Sequence, residues 1–342
     1  MESTSSLSSV PVVNLPETQG TLPPALKFFA DAFAFYKAHF AIIAAIGLVP
    51  IALGVLGTIA GIISAPASLI LGLLSFVAGI FAWLAFFDLV RADGNPEGGT
   101  KGAYLRGRKM FAPYAIILLL QNLAVVGGAF LFIIPGVIFS ILLGQAVYAY
   151  IFENKKGMDA LITSWHYVRG RWWSVFWRIF FLGIIMWIIS LIFFSVMGLG
   201  FGGGALLQIQ GWEKIGENAA LQQELTRSLE KTSRFADIAS TILTYIFVLP
   251  FSVIYLSILY RVLQKTKSGV PLSEEEQVKM RKTLKILIAI AIVGIALLLI
   301  VFAFFFSWLL QYLLDPNADI PRGKNFMPPG FSAGISSLFN FC

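Results

Sequence analysis

The chain has 342 residues, of which 58% are hydrophobic and only 13% charged, and it carries a formal net charge of +7. Soluble domains hold roughly 25% charged residues, so this composition excludes an ordinary water-soluble core and points to lipid as the solvent. Two histidines and one cysteine exclude a disulfide framework and a zinc site built from His and Cys.

The first 23 residues are rich in Ser, Thr and Pro and carry Glu2 and Glu17 but no Lys or Arg. They lack the basic start and apolar core of a signal peptide and read as a disordered leader. Five stretches then contain no Asp, Glu, Lys or Arg: Phe40 to Phe87, Met110 to Phe152, Ile179 to Trp212, Ile238 to Tyr260 and Ile286 to Leu314. A bilayer core about 30 Å thick takes roughly 20 apolar residues per helix. The first two stretches each hold two crossings and the other three hold one. The expected fold is all-α, a polytopic bundle of seven transmembrane helices with short amphipathic interfacial helices.

The segments before the first, third and fifth crossings each read as such an interfacial helix. Each ends on a basic residue with an aromatic three positions later: Lys37 to Phe40, Arg108 to Phe111, Arg169 to Trp172. In the third, Met158, Leu161, Ile162, Trp165 and Val168 form one face, while Asp159, Thr163 and His166 point away. Interfacial helix, crossing, turn and return crossing form a unit that recurs, as in the parallel repeats of some transporters. A six-helix domain over residues 24–263 follows, with an insertion at 198–237. Residues 264–314 supply a linker and the seventh helix, which opens on a capping box of Ser273 and Glu276. Residues 315–342 form a tail rich in Pro, Gly and Phe.

Lys and Arg concentrate on alternate connections. One side receives 19 of the 25 basic residues and carries net +8; the other carries net −1. Basic loops stay in the cytoplasm, so the expectation is a cytoplasmic-membrane protein with its N-terminus inside and its C-terminus outside. The positive charge then faces anionic headgroups on the cytoplasmic side, and nucleic acid is not an expected partner.

Chemistry is sparse. Gly330-Phe331-Ser332-Ala333-Gly334 matches the serine-hydrolase string, but no strand precedes it and both histidines belong to the opposite side in this topology. Gly94 to Lys101 is glycine-rich without the order of a phosphate cradle, and it reads as a flexible connection. No cofactor, metal or catalytic group is expected. Two sets of residues are candidates for a functional role. Arg106, Arg108, Lys109, Arg169, Arg171, Trp172 and Trp173 form a basic, aromatic rim suited to lipid headgroups. Gln121, Asn122 and Gln145 lie within spans, as interhelical contacts or as the lining of a polar path.

The sequence Ile134-Pro135-Gly136-Val137-Ile138, then Ala160-Leu161, Ser164-Trp165, Val168, Gly170 and Trp172-Trp173, resembles the membrane domain at the front of some bacterial glycerophosphodiester phosphodiesterases and its free-standing polytopic relatives. The resemblance covers Pro24 to Arg261 and implies a six-helix membrane domain. The phosphodiesterase activity of the fused members belongs to a separate soluble barrel and is not implied. Helix seven and the insertion depart from the six-helix pattern. The expected function is that of a non-enzymatic membrane protein assisting envelope or lipid homeostasis through headgroup contacts. A small-molecule or lipid transporter is the alternative.

Overall fold

A computed structural model describes residues 22–198, 223, 233–267 and 272–314. The expected leader, nearly all of the insertion, the C-terminal tail and the Gly330 to Gly334 string lie outside the described residues. Among those described there is no strand, and seven helices are long and apolar enough to cross a membrane. The protein is an all-α, multi-pass membrane bundle.

In chain order, α1 (Ala25–Ala38) is short and amphipathic, and α2 (Phe40–Ala60) and α3 (Ala65–Arg91) form a hairpin. Next, α4 (Gly99–Leu131) returns through α5 (Ile133–Leu143) and α6 (Ala146–Glu153), which together make one crossing. The second short helix is α7 (Gly157–Val168), followed by α8 (Trp172–Gly198). Last come α9 (Ser233–Lys267), with a π-helical turn at Thr244–Val248, and α10 (Glu274–Leu314). The chain clusters into two compact units, Met1–Ala291 and Ile292–Cys342. The described part of the second is the rest of α10, where Val293, Leu297, Leu299 and Phe304 are all exposed, as a lipid-facing surface requires.

Two of the three interfacial helices stand apart from their crossings, broken at His39 and at Arg169 to Arg171. The middle one does not: residues 99–110 run straight into α4. Gly107 is pressed against the α3 backbone at Leu84 and Ala85, and Arg106 pairs with Asp88 of α3. Both contacts hold the segment against α3, collinear with the crossing.

Within the first unit, α9 and the α5–α6 crossing are central, with 44% and 50% of their apolar windows buried, against 11% for α8. α9 closes the bundle by packing on α1, α2 and α3. Glycines permit that approach. Gly47 lies against the Tyr245 carbonyl, and a Cβ at Gly79 would overlap the Tyr245 hydroxyl. The π-helical turn contains Tyr245, so the widened turn of α9 sits where its backbone meets Gly47 and its ring meets Gly79. A Cβ on Gly57 would lie 3.4 Å from Leu71 Cβ, an ordinary contact between α2 and α3.

Proline lies inside three of the described helices, Pro50 in α2, Pro113 in α4 and Pro250 in α9, and at Pro50 and Pro250 a tyrosine supplies the missing donor. Proline has no N–H and leaves the carbonyl four residues back without its donor. Pro50 frees the Ile46 carbonyl, which accepts from the Tyr104 hydroxyl at 2.6 Å. Pro250 frees the Ile246 carbonyl, which accepts from the Tyr36 hydroxyl at 2.9 Å.

The glycine-rich connection after α3 is held in place. Gly94 (φ 88°) and Pro96 are buried, and Gly94 is packed on the His39 ring so closely that no Cβ fits. Asp93 pairs with Arg261 at 2.6 Å, and Arg261 also donates to the Val90 carbonyl and lies 4.6 Å over the Phe152 ring. The expectation of a flexible loop fails because one arginine of α9 fastens both its carboxylate and its backbone.

α10 opens as half a capping box. Ser273 Oγ accepts from the Glu276 N–H at 3.2 Å, but the Glu276 carboxylate pairs with Arg169 at 3.0 Å. Arg281 pairs with Asp159 at 2.5 Å. Gly127 of α4 meets the Leu287 carbonyl of α10 so closely that no Cβ fits.

Candidate functional site

The strongest local concentration of charge and aromatic surface lies at the turn from α7 to α8. α7 ends because Gly170 takes a left-handed conformation (φ 84°) that side chains resist. Beyond it, Trp172 starts α8. The Trp173 ring packs edge-on to Trp172 and Trp177 and is stacked 5.3 Å from Phe176, which stacks on Phe180. Trp173 and Trp177 remain about half exposed, at 54% and 49%. This is a rigid aromatic ladder of the kind enriched at membrane–water interfaces.

Behind the ladder is a groove of about 340 Å³ between α1 and α8, lined by Ala25, Trp177, Arg178, Phe180, Phe181 and Ile184. Arg178 closes its polar end. The guanidinium donates to the carbonyls of Leu22, Pro23 and Ser174, and it lies 5.6 Å from the Phe28 ring centroid. Those hydrogen bonds anchor the start of α1 to α8, and the Tyr255 hydroxyl adds a bond to the Arg178 carbonyl. The lining is that of a slot for an apolar chain with its wall set by aromatic rings.

The predicted basic residues divide. Arg169 is exposed and salt-bridged to Glu276. Arg171 has one guanidinium nitrogen, Nη1, enclosed without a partner. Arg108 and Lys109 are exposed on α4. Arg106 turns inward to Asp88, which is fully buried and also takes Arg91, at 2.9 Å and 2.8 Å respectively. One buried carboxylate is thus shared by two partly exposed guanidiniums. The arrangement is structural in character, because the Asp88–Arg106 pair seats α4 on α3 while Arg91 binds Asp88 within α3.

The polar span residues divide as well. Asn122 is exposed and donates to the Leu118 carbonyl of its own helix. Gln121 has its Oε1 enclosed without a partner. Gln145 is fully buried at the break between α5 and α6, and neither its amide oxygen nor its amide nitrogen has a partner. Ser164 fastens that break to α7 by accepting from the Gln145 backbone N–H at 3.1 Å and donating to the Leu142 carbonyl at 2.7 Å.

Sequence reasoning missed a further polar cluster. Glu153 Oε1 accepts from the Tyr260 hydroxyl at 2.5 Å and from Gln264 Nε2 at 3.1 Å, with Tyr167 close by. Burial, then the Glu153 contacts, push Tyr167 up to about 12. The cluster joins residues 107 and 111 positions apart, a separation that local pattern cannot reveal. Lys267 was missed too: its Nζ donates to the carbonyls of His166 at 2.6 Å and Arg169 at 2.8 Å, at the end of α7. Among the described residues, no group of three or more His, Cys, Asp or Glu is placed to hold a metal ion. No known family, curated protein or solved structure matches the chain.

Proposed function

We propose that the chain is a non-enzymatic protein of a bacterial cytoplasmic membrane that assists lipid or envelope homeostasis by holding phospholipids at its basic face. The supporting observation is the α7–α8 turn: exposed Trp173 and Trp177, Arg169 and Arg171, and an aromatic groove beside them. A lipid fits this layout with its acyl chain along Phe180, Phe181 and Ile184 and its phosphate toward the arginines. Guanidinium forks suit phosphate oxygens, and tryptophan rings suit the headgroup level. The lopsided division of Lys and Arg favours this face as cytoplasmic, with the N-terminus inside and the C-terminus outside. Native mass spectrometry of the protein released from nanodiscs containing phosphatidylglycerol is expected to show retained lipid. Arg169→Gln with Arg171→Gln should reduce it, and undiminished retention would sink the reading.

A second reading, transport, is favoured by Gln145 alone. Broken helices with unpaired polar groups are the usual form of binding sites within transporter spans. In a Cys342→Ser background, Gln145→Cys should then react with a membrane-impermeant maleimide. A protected thiol counts against any aqueous path past this position.

A further inference from the structure

The polar face of α7 borders a cleft of about 370 Å³ that is closed by the end of α9 and the start of α10. Lys155, Asp159, His166, Tyr167, Lys267 and Gln277 contribute to its walls, with Glu153 among the other lining residues. At ~30 Å³ per water this is room for about a dozen waters, enough for a compact polar group.

The charges of this cleft do not balance once existing partners are assigned. Of the two carboxylates in its walls, Asp159 is paired with Arg281, whereas Glu153 accepts hydrogen bonds from the neutral Tyr260 and Gln264, so one unpaired carboxylate stands against two lysines. The cations are not matched in the same way. Lys155 Nζ has no partner among the described residues, and its side chain is exposed. Lys267 is hydrogen-bonded to two backbone carbonyls and to no carboxylate. Arg169 and Arg171 stand close enough to repel Lys267, and the acid on that side, Glu276, is paired with Arg169. Arg171 Nη1 is enclosed and unpartnered. Beside it, Gly170 faces open space. Like charges gathered around open volume repel one another, and an anion placed among them removes that cost.

We infer that this cleft is a binding site for a phosphate ester, with Lys155 and Lys267 as its principal cations. A tetrahedral phosphate offers several acceptor oxygens to donors arriving from different helices, which a planar carboxylate does not. The remaining volume, lined by His166, Tyr167 and Gln277, takes the small polar substituent of the ester. The inference rests on the headgroup reading for its ligand class, but it places the phosphate on residues which that reading does not use.

The test uses the full chain in nanodiscs of phosphatidylcholine. In one arm glycerol 3-phosphate is titrated calorimetrically; in the other, phosphatidylglycerol is included and bound lipid is counted by native mass spectrometry. Lys155→Gln removes an exposed, unpartnered charge and leaves the fold intact. Losing one cation near the phosphate is expected to weaken binding roughly fivefold, with Lys155→Arg restoring it. A fall in the soluble arm supports a free phosphate ester as occupant, and a fall in the lipid arm alone supports a headgroup. Unchanged binding in both arms, or none by the parent protein, overturns the inference. The two readings separate cleanly. If Arg169→Gln with Trp173→Ala releases lipid while Lys155→Gln changes neither arm, the rim stands and the cleft falls; the converse result keeps the cleft and removes the rim.

Discussion

Removing one hydroxyl, by Tyr104→Phe, tests how this bundle tolerates proline inside a crossing. The Ile46 carbonyl has lost its helical donor to Pro50 and is served by the Tyr104 hydroxyl at 2.6 Å. The phenylalanine ring fills the same space, so the change isolates the hydrogen bond. A buried carbonyl left unpaired costs about 1–3 kcal/mol, although bonds between membrane helices average only ~0.6 kcal/mol. A loss of about 1 kcal/mol is therefore expected in reversible unfolding monitored in mixed detergent micelles. The decisive quantity is the coupling with Pro50→Ala. Alanine returns an N–H to α2, which closes the bond to Ile46 and makes the tyrosine hydroxyl redundant. Tyr104→Phe should then cost close to nothing in the Pro50→Ala background, a coupling of about 1 kcal/mol where unlinked sites add to within ~0.5 kcal/mol. Strict additivity would refute the account. The same cycle applies to Tyr36→Phe with Pro250→Ala, where the hydroxyl reaches Ile246 at 2.9 Å.

Asp88→Asn is expected to destabilise by about 1–3 kcal/mol, because it takes the shared carboxylate from the partly exposed Arg91 and Arg106 and weakens the buried hydrogen bonds; a thermal midpoint unchanged from the parent would contradict this. Gly79→Ala places a methyl on the Tyr245 hydroxyl and should cost about 1–3 kcal/mol, with Tyr245→Phe recovering part of it. Gln145→Leu removes an amide whose two ends are unpaired, so stability should hold or rise; a fall beyond about 2 kcal/mol would reveal a bound water or solute and favour the transport reading. Tyr167 keeps its proton more firmly when folded, up to about 12 against an ordinary 10.0, through burial and Glu153. Its contribution is complete below pH 10 and disappears as pH rises toward 12, so Tyr167→Phe should show a shallower alkaline loss of stability than the parent.

The seven crossings were legible because lipid imposes one rule everywhere: each uncharged stretch must be long enough to cross. The capping serine and the apolar face of α7 were readable for a related reason, since each is a pattern within one helix. Leu161, Ile162 and Val168 are indeed buried, with Met158 and Trp165 partly so. What could not be read was pairing across the chain. Arg106 has the composition of a headgroup contact, but its partner is 18 residues away on another helix. The break at Gly144 and Gln145 has no proline to announce it, and it becomes visible only when Ser164 is seen holding both sides. Glycine at position 94 suggested mobility, whereas the absent Cβ makes room for the His39 ring.

The tyrosines join these observations. An apolar span can be specified by composition, but a span with proline in it creates a polar debt that composition does not settle. Tyr36 lies on α1 and Tyr104 on the polar first turns of α4, so each donor belongs to a segment that the sequence marks as interfacial. Each reaches into a different crossing, α9 and α2 respectively. These amphipathic segments therefore do more than rest at the membrane surface: they supply the donors that the kinked crossings lack. It follows that Tyr36→Phe, which leaves the packing of α1 on α9 in place and removes only the donor, should free the Ile246 carbonyl and raise hydrogen exchange at Phe251 to Val253. Exchange equal to the parent's would show that α1 merely covers α9 and does not complete it.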